Sequence, residues 1–465
     1  MELRSSPRVL NDATEMLLAD GTRVAVIGGG PAGSMFSYFL LGMAELAGVD
    51  IDLTIFEPRF FTHSGPAGCN HCGGIISESL VQLLATEGIN LPEHVVQRGI
   101  DSYMLHMDVG DVRIETPLQE KRIAAVYRGH GPRESVPIDF IGFDKYLQEL
   151  AEEAGATIVN DLVTGLDWLF GKPRLSFSSA DPATFDLVVV ASGINSRILG
   201  LVSDENARYR RPESMKTFIC EYHLGRDRIA EHLGTSMHVF LLDLPRLEFA
   251  AMIPKGDFVT LCLLGHDIDS TLVESFLSSP EVKACFPDGF APDNVCHCFP
   301  RINVKGARQP FADRLIFIGD SGVSRLYKDG IGAAYRTSKA AAGAVAFHGF
   351  SEEALRKHYW PACRAINLDN ALGKFIFGFS HLIQKTRFSR RGVLRMTARE
   401  QASQRSERLM SSVLWDLFTG SAPYRDVLMR TMKPAFVGGL ISNLVVGNLA
   451  GLRNNGSTEG KVNEV

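Results

Sequence analysis

A short apolar run, Arg23 to Ile27, ends directly on Gly28-Gly29-Gly30-Pro31-Ala32-Gly33. No other feature of the chain limits its fold as strongly. Ser34 to Ala47 then reads as a helix, and Ile51 to Phe56 as a second buried strand closing on Glu57. Strand, glycine turn, helix and strand follow one another within about 35 residues, the unit from which a parallel sheet is built. The spacing Gly28-x-Gly30-x-x-Gly33 is weak by itself. It becomes specific for a dinucleotide when it follows a strand, opens a helix and has an acid at the end of the next strand. Gly28 allows the tight turn, Gly30 lets the backbone approach a pyrophosphate, and Gly33 lets helix and strand pack closely. Pro31 and Ala32 complete the turn, and the helix N-terminus offers N–H groups and partial positive charge to the phosphates. Glu57 is placed to accept hydrogen bonds from a ribose diol.

The same rhythm returns further along. Lys145 to Ala154 reads as a helix closed by Gly155, and Ala156 to Val159 as a strand. Phe185 to Val190 is a buried strand running into Ala191-Ser192-Gly193. Arg314 to Ile318 runs into Gly319-Asp320, and an Ala-rich helix follows from about Gly332 to Phe347. Tyr103 to Glu115 and Phe218 to Leu264 alternate in places and are cut by Pro and Gly, the mark of an antiparallel sheet inserted into the parallel domain. From Ser351 onward the pattern is helical. The polar end, Arg453 to Val465, is predicted to be disordered.

The segment Leu315-Ile316-Phe317-Ile318-Gly319-Asp320, followed by Asp329-Gly330-Ile331-Gly332, resembles the second FAD motif of the flavoprotein hydroxylase and geranylgeranyl reductase superfamily. The resemblance covers roughly residues 21 to 350, in order, and takes in Phe143-Asp144-x-x-Leu147-x-x-x-Ala151 and Phe185 to Gly193. It implies that Asp320 holds the ribityl chain of FAD and that the helix opening at Gly330, Ile331 and Gly332 points its N-terminus at the flavin pyrimidine. A helix N-terminus stabilises the anionic reduced flavin. Gly193 and Gly319 join the cofactor set, as do Pro58 and Arg59 after Glu57. The chain departs from the family at one point. The Arg that often precedes the Phe-Asp pair is replaced by Ile141-Gly142, leaving Arg128 or Arg133 to supply the charge.

Gly68-Cys69-Asn70-His71-Cys72-Gly73-Gly74 resembles geranylgeranyl reductases more than aromatic hydroxylases. By that resemblance Cys72 is an active-site thiol beside the isoalloxazine, and Gly73 and Gly74 let the backbone approach the flavin plane. His71 is a candidate proton donor, since His titrates near neutral pH. Three other readings stay open. Cys69 and Cys72 have dithiol spacing. Together with Cys296 and Cys298, and with His71 and His297 in reserve, they could bind a metal, although Cys296-His297-Cys298 is a poor zinc spacing. They could equally be buried structural thiols. No metal site is assigned.

The family's aromatic strand ending in Pro-Lys corresponds here to Phe249-Ala250-Ala251-Met252-Ile253-Pro254-Lys255-Gly256. Phe249, Ala251 and Ile253 replace Tyr, Trp and Phe, so a tunnel there stays apolar but changes shape. Residues 374 to 433 carry twelve Lys or Arg against four Asp or Glu, in a chain of net charge −5. The next 19 residues, Pro434 to Leu452, have no charge but hold Gly and Asn. That is too polar for a confident membrane span and fits a helix lying on an anionic leaflet. Two readings of 374–452 stay open beside a true span: peripheral membrane contact, and a basic solvated face with a buried core helix. The mildly acidic whole argues against nucleic acid, and eight Cys are too few for a disulfide scaffold. The first 20 residues lack the apolar run of a signal peptide. A cytoplasmic chain is expected, peripheral on the inner face of the membrane if 374–452 makes that contact.

The expected fold is α/β. It has a Rossmann-like FAD-binding domain (21–90, 135–210, 306–350), an inserted antiparallel substrate-binding sheet (91–134, 211–305), a helical C-terminal region (351–452) and a disordered tail (453–465). The resemblance implies an FAD-dependent oxidoreductase that takes hydride from NAD(P)H or another reductant and passes it to an apolar, prenyl or lipid acceptor. Two alternatives stand beside it: a monooxygenase acting through a flavin hydroperoxide, and a non-catalytic flavoprotein that binds a membrane or partner. Oligomeric state is left open.

Overall fold

The computed structural model describes residues 16–65, 72–116, 123–133, 140–200, 208–291, 296–403 and 407–455. Cys69, His71 and the tail beyond Asn455 lie outside the described residues. The chain forms two compact units. One comprises Met1–Asn70, Tyr127–Met215 and Arg301–Leu368; the other comprises His71–Val126, Lys216–Pro300 and Asp369–Val465.

The first unit is built on a six-stranded sheet. Thr22–Ile27 lies at its centre, parallel to Ile51–Phe56 on one side and to Leu187–Val190 on the other. Thr157–Val159 extends one flank and Leu315–Phe317 the other, both parallel, and Phe311–Ala312 closes the second edge antiparallel. Val24 to Val26 and Leu187 to Val190 are fully buried. That is why they read as unbroken apolar runs, since a parallel sheet is covered on both faces. Helices Pro31–Ala47, Phe143–Glu153 and Gly330–His348 cover one face. A three-stranded antiparallel sheet, Val163–Leu169, Lys172–Phe177 and Ala183–Thr184, lies beyond the other. Its Leu166 and Leu175 share a core with Ala25, Ile27, Val188, Val190 and Phe317.

The second unit carries a seven-stranded sheet. Its order is Cys296–Cys298, Phe218–His223, Phe258–Gly265, Leu247–Lys255, Ser236–Phe240, Ser102–Met107 and Gly110–Glu115. All neighbours are antiparallel except Ser236–Phe240 and Ser102–Met107, which run parallel. A small sheet joins Ile75–Ile76, Ile123–Val126 and Val96–Ile100. This pairing puts residues 71–90 in the second unit, where the sequence alone had placed them in the first FAD segment. The helices Arg387–Gln401, Leu409–Thr419, Tyr424–Thr431 and Pro434–Asn455 belong to the same unit and are not a separate region. Pro434–Asn455 is helical through Arg453, Asn454 and Asn455, three residues expected to be disordered. It packs tightly on Arg387–Gln401: a Cβ on Gly392 would lie 2.4 Å from Leu444 Cδ2. No helix among the described residues is long and apolar enough to cross a membrane.

Candidate functional site

The glycine turn is assembled by packing that leaves no room for side chains. Gly28 has φ +107°, and a Cβ there would meet the Ala191 carbonyl oxygen at 2.7 Å. A Cβ on Gly33 would lie 1.9 Å from the Gly28 carbonyl oxygen, so helix and strand approach as the fingerprint requires. Gly29, which the fingerprint leaves free, is equally constrained: its Cβ would strike Gln148 Nε2 at 2.3 Å. Gly30 precedes Pro31, the first residue of the helix. Ala32 touches the second motif, where a Cβ on Gly319 would lie 2.7 Å from the Ala32 methyl group.

Glu57 is buried at the end of its strand. Its carboxylate accepts from the Gly29 N–H at 3.0 Å and from the Arg59 N–H and guanidinium at 2.9–3.2 Å. The carboxylate thus braces the glycine turn. Arg59 is exposed and lies over the Phe61 ring, and Pro58 is exposed beside it. Gly193 has φ +74° and donates its N–H to Ser321 Oγ at 3.0 Å; Gly319 donates to Thr337 Oγ1 at 3.0 Å. The first bond ties two strand ends together, and the second ties the Gly319 turn to the helix Gly330–His348. Asp320 is partly buried. Burial raises its carboxyl, against a hydrogen bond from Ser324 and the charge of Arg128. Asp329 caps the helix Gly330–His348 and accepts the Gly332 N–H at 3.1 Å. The amide of Gly332 is therefore engaged by its own cap. Gly330 is exposed at the helix tip and Ile331 is buried.

Of the two candidate cations, Arg128 is the one placed beside Asp144 and Gly30. Its guanidinium makes two hydrogen bonds to Asp144, at 2.9 and 2.7 Å, and a Cβ on Gly30 would lie 3.3 Å from Arg128 Nη2. Asp144 is 0 % exposed, and burial raises its carboxyl against the pull of Arg128. Arg133, the other candidate, is exposed. The Phe143-Asp144 pair was legible in the sequence, with Arg128 and Arg133 as the candidate cations; the structure pairs Arg128, 16 residues away, with Asp144. Glycine backbone at Gly28 and Gly30, a cation at Gly30, a helix N-terminus and the buried, unpartnered Ser192 Oγ beside Gly28 all fit the diphosphate and sugar groups of a dinucleotide such as FAD.

In the second unit Cys72 is partly exposed and accepts from the Gly74 N–H at 3.3 Å. A Cβ on Gly73 would lie 3.2 Å from Cys262 Sγ and 3.3 Å from Ile253 Cδ1. A Cβ on Gly74 would strike the Val126 carbonyl oxygen at 1.9 Å and Lys255 Nζ at 2.8 Å. Gly74 is therefore required by packing within this unit, and a side chain at Gly73 would need Cys262 and Ile253 to give by a few tenths of an ångström. Pro254 and Lys255 end the strand Leu247–Lys255, and the two-residue turn Gly256-Asp257 joins it to Phe258–Gly265. Phe249, Ala251, Ile253 and Lys255 alternate onto one face of that strand, and Gly73 and Gly74 lie against it. Lys255, only 1 % exposed, was not singled out from the sequence. Phe249 packs against Phe377 and Phe418 of the C-terminal helices. Cys296 and Cys298 pair with Glu221 and Ile219 across the sheet edge, and among the described residues they form no metal-binding group with Cys72.

No protein-family model matches the chain. Over 249 residues it is 28% identical to geranylgeranyl diphosphate reductase, chloroplastic, of Arabidopsis thaliana. The match takes in 48% of this chain and 47% of that protein, so the chain spans about half the length of the relative it matches. Among solved structures, a geranylgeranyl bacteriochlorophyll reductase-like protein from Thermoplasma acidophilum is similar with a TM-score of 0.55 at 15% identity, over 91% of this chain and 100% of that one. A variant of the halogenase PltM in complex with FAD gives 0.58 at 14% identity, over 93% and 92%. A flavin-dependent brominase gives 0.56 at 15% identity, over 88% and 98%. Over about half of its length the chain is similar in sequence to geranylgeranyl diphosphate reductase, and it shares the fold of the geranylgeranyl reductase-like protein and of the flavin-dependent halogenases.

Proposed function

We propose that this chain is an FAD-dependent oxidoreductase that reduces an apolar, polyprenyl-type acceptor. Bound FAD supplies hydride from its reduced ring system. The observation that carries the reading is the pairing of two features: a glycine cradle with Arg128 over Gly30, and a Cys72-Gly73-Gly74 turn lying on an apolar strand face that ends in Lys255. Glu57 holds the glycine turn and receives a ribose diol, Arg59 being the exposed partner that gives way. Arg128, fixed by Asp144, faces the diphosphate. Asp320 accepts from the ribityl hydroxyls. The exposed tip at Gly330 directs a helix N-terminus toward negative charge.

On the second unit, Phe249, Ala251, Ile253 and Cys262 offer an acceptor chain an apolar wall. Replacement of the family's larger aromatics by Ala251 and Ile253 leaves a wider wall, suited to a branched, flexible chain. Cys72 and Lys255 are the groups at that wall able to hold or deliver a proton. NAD(P)H is the proposed reductant.

Membrane contact belongs to the same reading. Phe375, Phe379 and Leu382 are exposed at helical spacing, with Lys374, Lys385 and Arg387 beside them. Val437, Ile441 and Val445 form a second exposed apolar stripe on Pro434–Asn455. Apolar stripes flanked by cations suit the surface of an anionic bilayer, the phase in which a prenyl lipid resides.

The test is anaerobic. The purified protein is expected to carry FAD, to be bleached by NADPH or NADH, and to recover colour when a prenyl acceptor is added under argon. Flavin that neither reductant nor dithionite can reduce, or protein isolated without any flavin-binding capacity, would refute the proposal.

A further inference from the structure

The second unit holds a cluster of buried ligating side chains remote from the Cys72 turn in sequence. His106 is on Ser102–Met107 and His238 on Ser236–Phe240, and Cys285 follows the short helix Pro280–Lys283. They are 7 %, 5 % and 2 % exposed. His106 Nε2 and His238 Nδ1 are 2.9 Å apart, and Cys285 Sγ lies 3.8 Å and 3.5 Å from them. Zinc bonds of ~2.05 Å to nitrogen and ~2.3 Å to sulfur at tetrahedral angles put ligand atoms about 3.3 Å (N to N) and about 3.6 Å (N to S) apart. The observed triangle matches within about half an ångström.

The outward nitrogens have neighbours as well. His238 Nε2 faces the Leu233 carbonyl oxygen at 3.3 Å. His106 Nδ1 faces the Asp111 carboxylate at 3.9 Å, and Asp111 is the cross-strand partner of His106. A carbonyl behind an imidazole is the kind of outer partner that fixes a metal ligand's tautomer, whereas the Asp111 carboxylate stands beyond hydrogen-bond distance of His106 and acts on it as a nearby charge. The three donor atoms, His106 Nε2, His238 Nδ1 and Cys285 Sγ, all lie within 4.8 Å of one another in the buried interior.

We propose that His106, His238 and Cys285 form a buried site for one d10 transition-metal ion, Zn2+ or Cu+, with Asp111 as a nearby charge. One thiolate and two neutral imidazoles are a donor set that both ions accept. Binding forms the metal–sulfur bond and releases the Cys285 proton to solvent. With Cu+ the three-ligand site is neutral. With Zn2+ it carries one positive charge, offset by Asp111, and the fourth position is left to a water. In either case the ion pins the segment after Pro280–Lys283 to the sheet. The three residues stand 132 and 47 positions from one another along the chain, so no spacing motif announces them.

The test uses the full chain as purified, stripped of metal by chelation and titrated separately with Co2+ and, anaerobically, with Cu+. The expected result is one equivalent bound. With Co2+ it should show thiolate-to-cobalt charge transfer in the near ultraviolet and tetrahedral visible bands that Zn2+ abolishes. Cys285→Ser should lose these bands, whereas Cys72→Ser should keep them. Asp111→Asn, a substitution on an exposed hairpin strand that leaves the core intact, should weaken affinity ~10–100-fold. Binding of Co2+ and Zn2+ identifies a zinc-type site, and binding of Cu+ alone identifies a copper(I) site; both support the proposal. It is overturned if neither ion binds at one equivalent, or if the signal follows Cys72 and not Cys285. The readout does not depend on flavin or turnover.

Discussion

Arg128 is the residue whose loss separates cofactor binding from folding. Arg128→Met removes both hydrogen bonds to Asp144, which is 0 % exposed. Breaking a buried ion pair from one side costs about 3–5 kcal/mol, because the other charge stays buried without compensation. The Arg128 side chain is 21% exposed, which places the cost at the lower end, about 3 kcal/mol. For a unit of this size that lowers the melting temperature by about 6–12 °C. The loss has a definite pH dependence. Burial already raises the Asp144 carboxyl, and removing Arg128 raises it further. Between the unfolded value, ~3.9, and the raised folded value, the folded state holds a proton that the unfolded state lacks. Stability there falls as pH rises, so the deficit of the variant should shrink as pH is lowered from ~8 toward ~5. Arg128→Met/Asp144→Asn should regain most of the stability, since no unpaired charge remains, but should still be purified with little FAD. Differential scanning fluorimetry across pH and flavin absorbance after gel filtration measure both quantities. A single variant that melts within about 1 °C of the parent would refute the pairing argument. A double variant that regains full FAD content would show that Arg128 does no more than neutralise Asp144.

Gly33→Ala places a methyl group 1.9 Å from the Gly28 carbonyl oxygen and should cost about 3 kcal/mol or more, with FAD lost along with the fold, as circular dichroism and flavin absorbance would record. Asp320→Ala should keep the fold and lose flavin on gel filtration; undiminished flavin content would remove Asp320 from the cofactor set. Cys72→Ala should retain FAD while turnover falls, and loss of FAD together with the fold would make Cys72 structural. Replacing Phe375, Phe379 and Leu382 by Ser should reduce sedimentation with anionic vesicles at unchanged melting temperature; unaltered sedimentation would count against that stripe as the contact surface.

The parallel core was legible because strands covered on both faces must be apolar without interruption, as Val24 to Ile27 and Leu187 to Val190 are. The glycine turn was legible because Gly28 and Gly33 answer to backbone clashes that no other residue avoids. The segment 71–90 was misplaced because its role follows from pairing Ile75–Ile76 with Ile123–Val126, about fifty residues on. Arg128 beside Asp144, Lys255 beside Gly74, and His106 beside His238 and Cys285 share one property. Each is a polar contact between distant segments, and local periodicity carries no trace of such contacts. The packing role of Gly29 was hidden for the same reason, since Gln148 comes from another helix.

The most direct measurement of the central claim is a single turnover. The protein is reduced anaerobically and divided between a prenyl acceptor such as geranylgeranyl diphosphate and air-saturated buffer. The products are analysed by mass spectrometry while the flavin spectrum is followed. Hydride transfer to an apolar acceptor predicts reoxidation under argon with a gain of two hydrogens in the acceptor. Reoxidation by oxygen alone, with an oxygen atom gained by the organic substrate and no hydrogenated product, would contradict it.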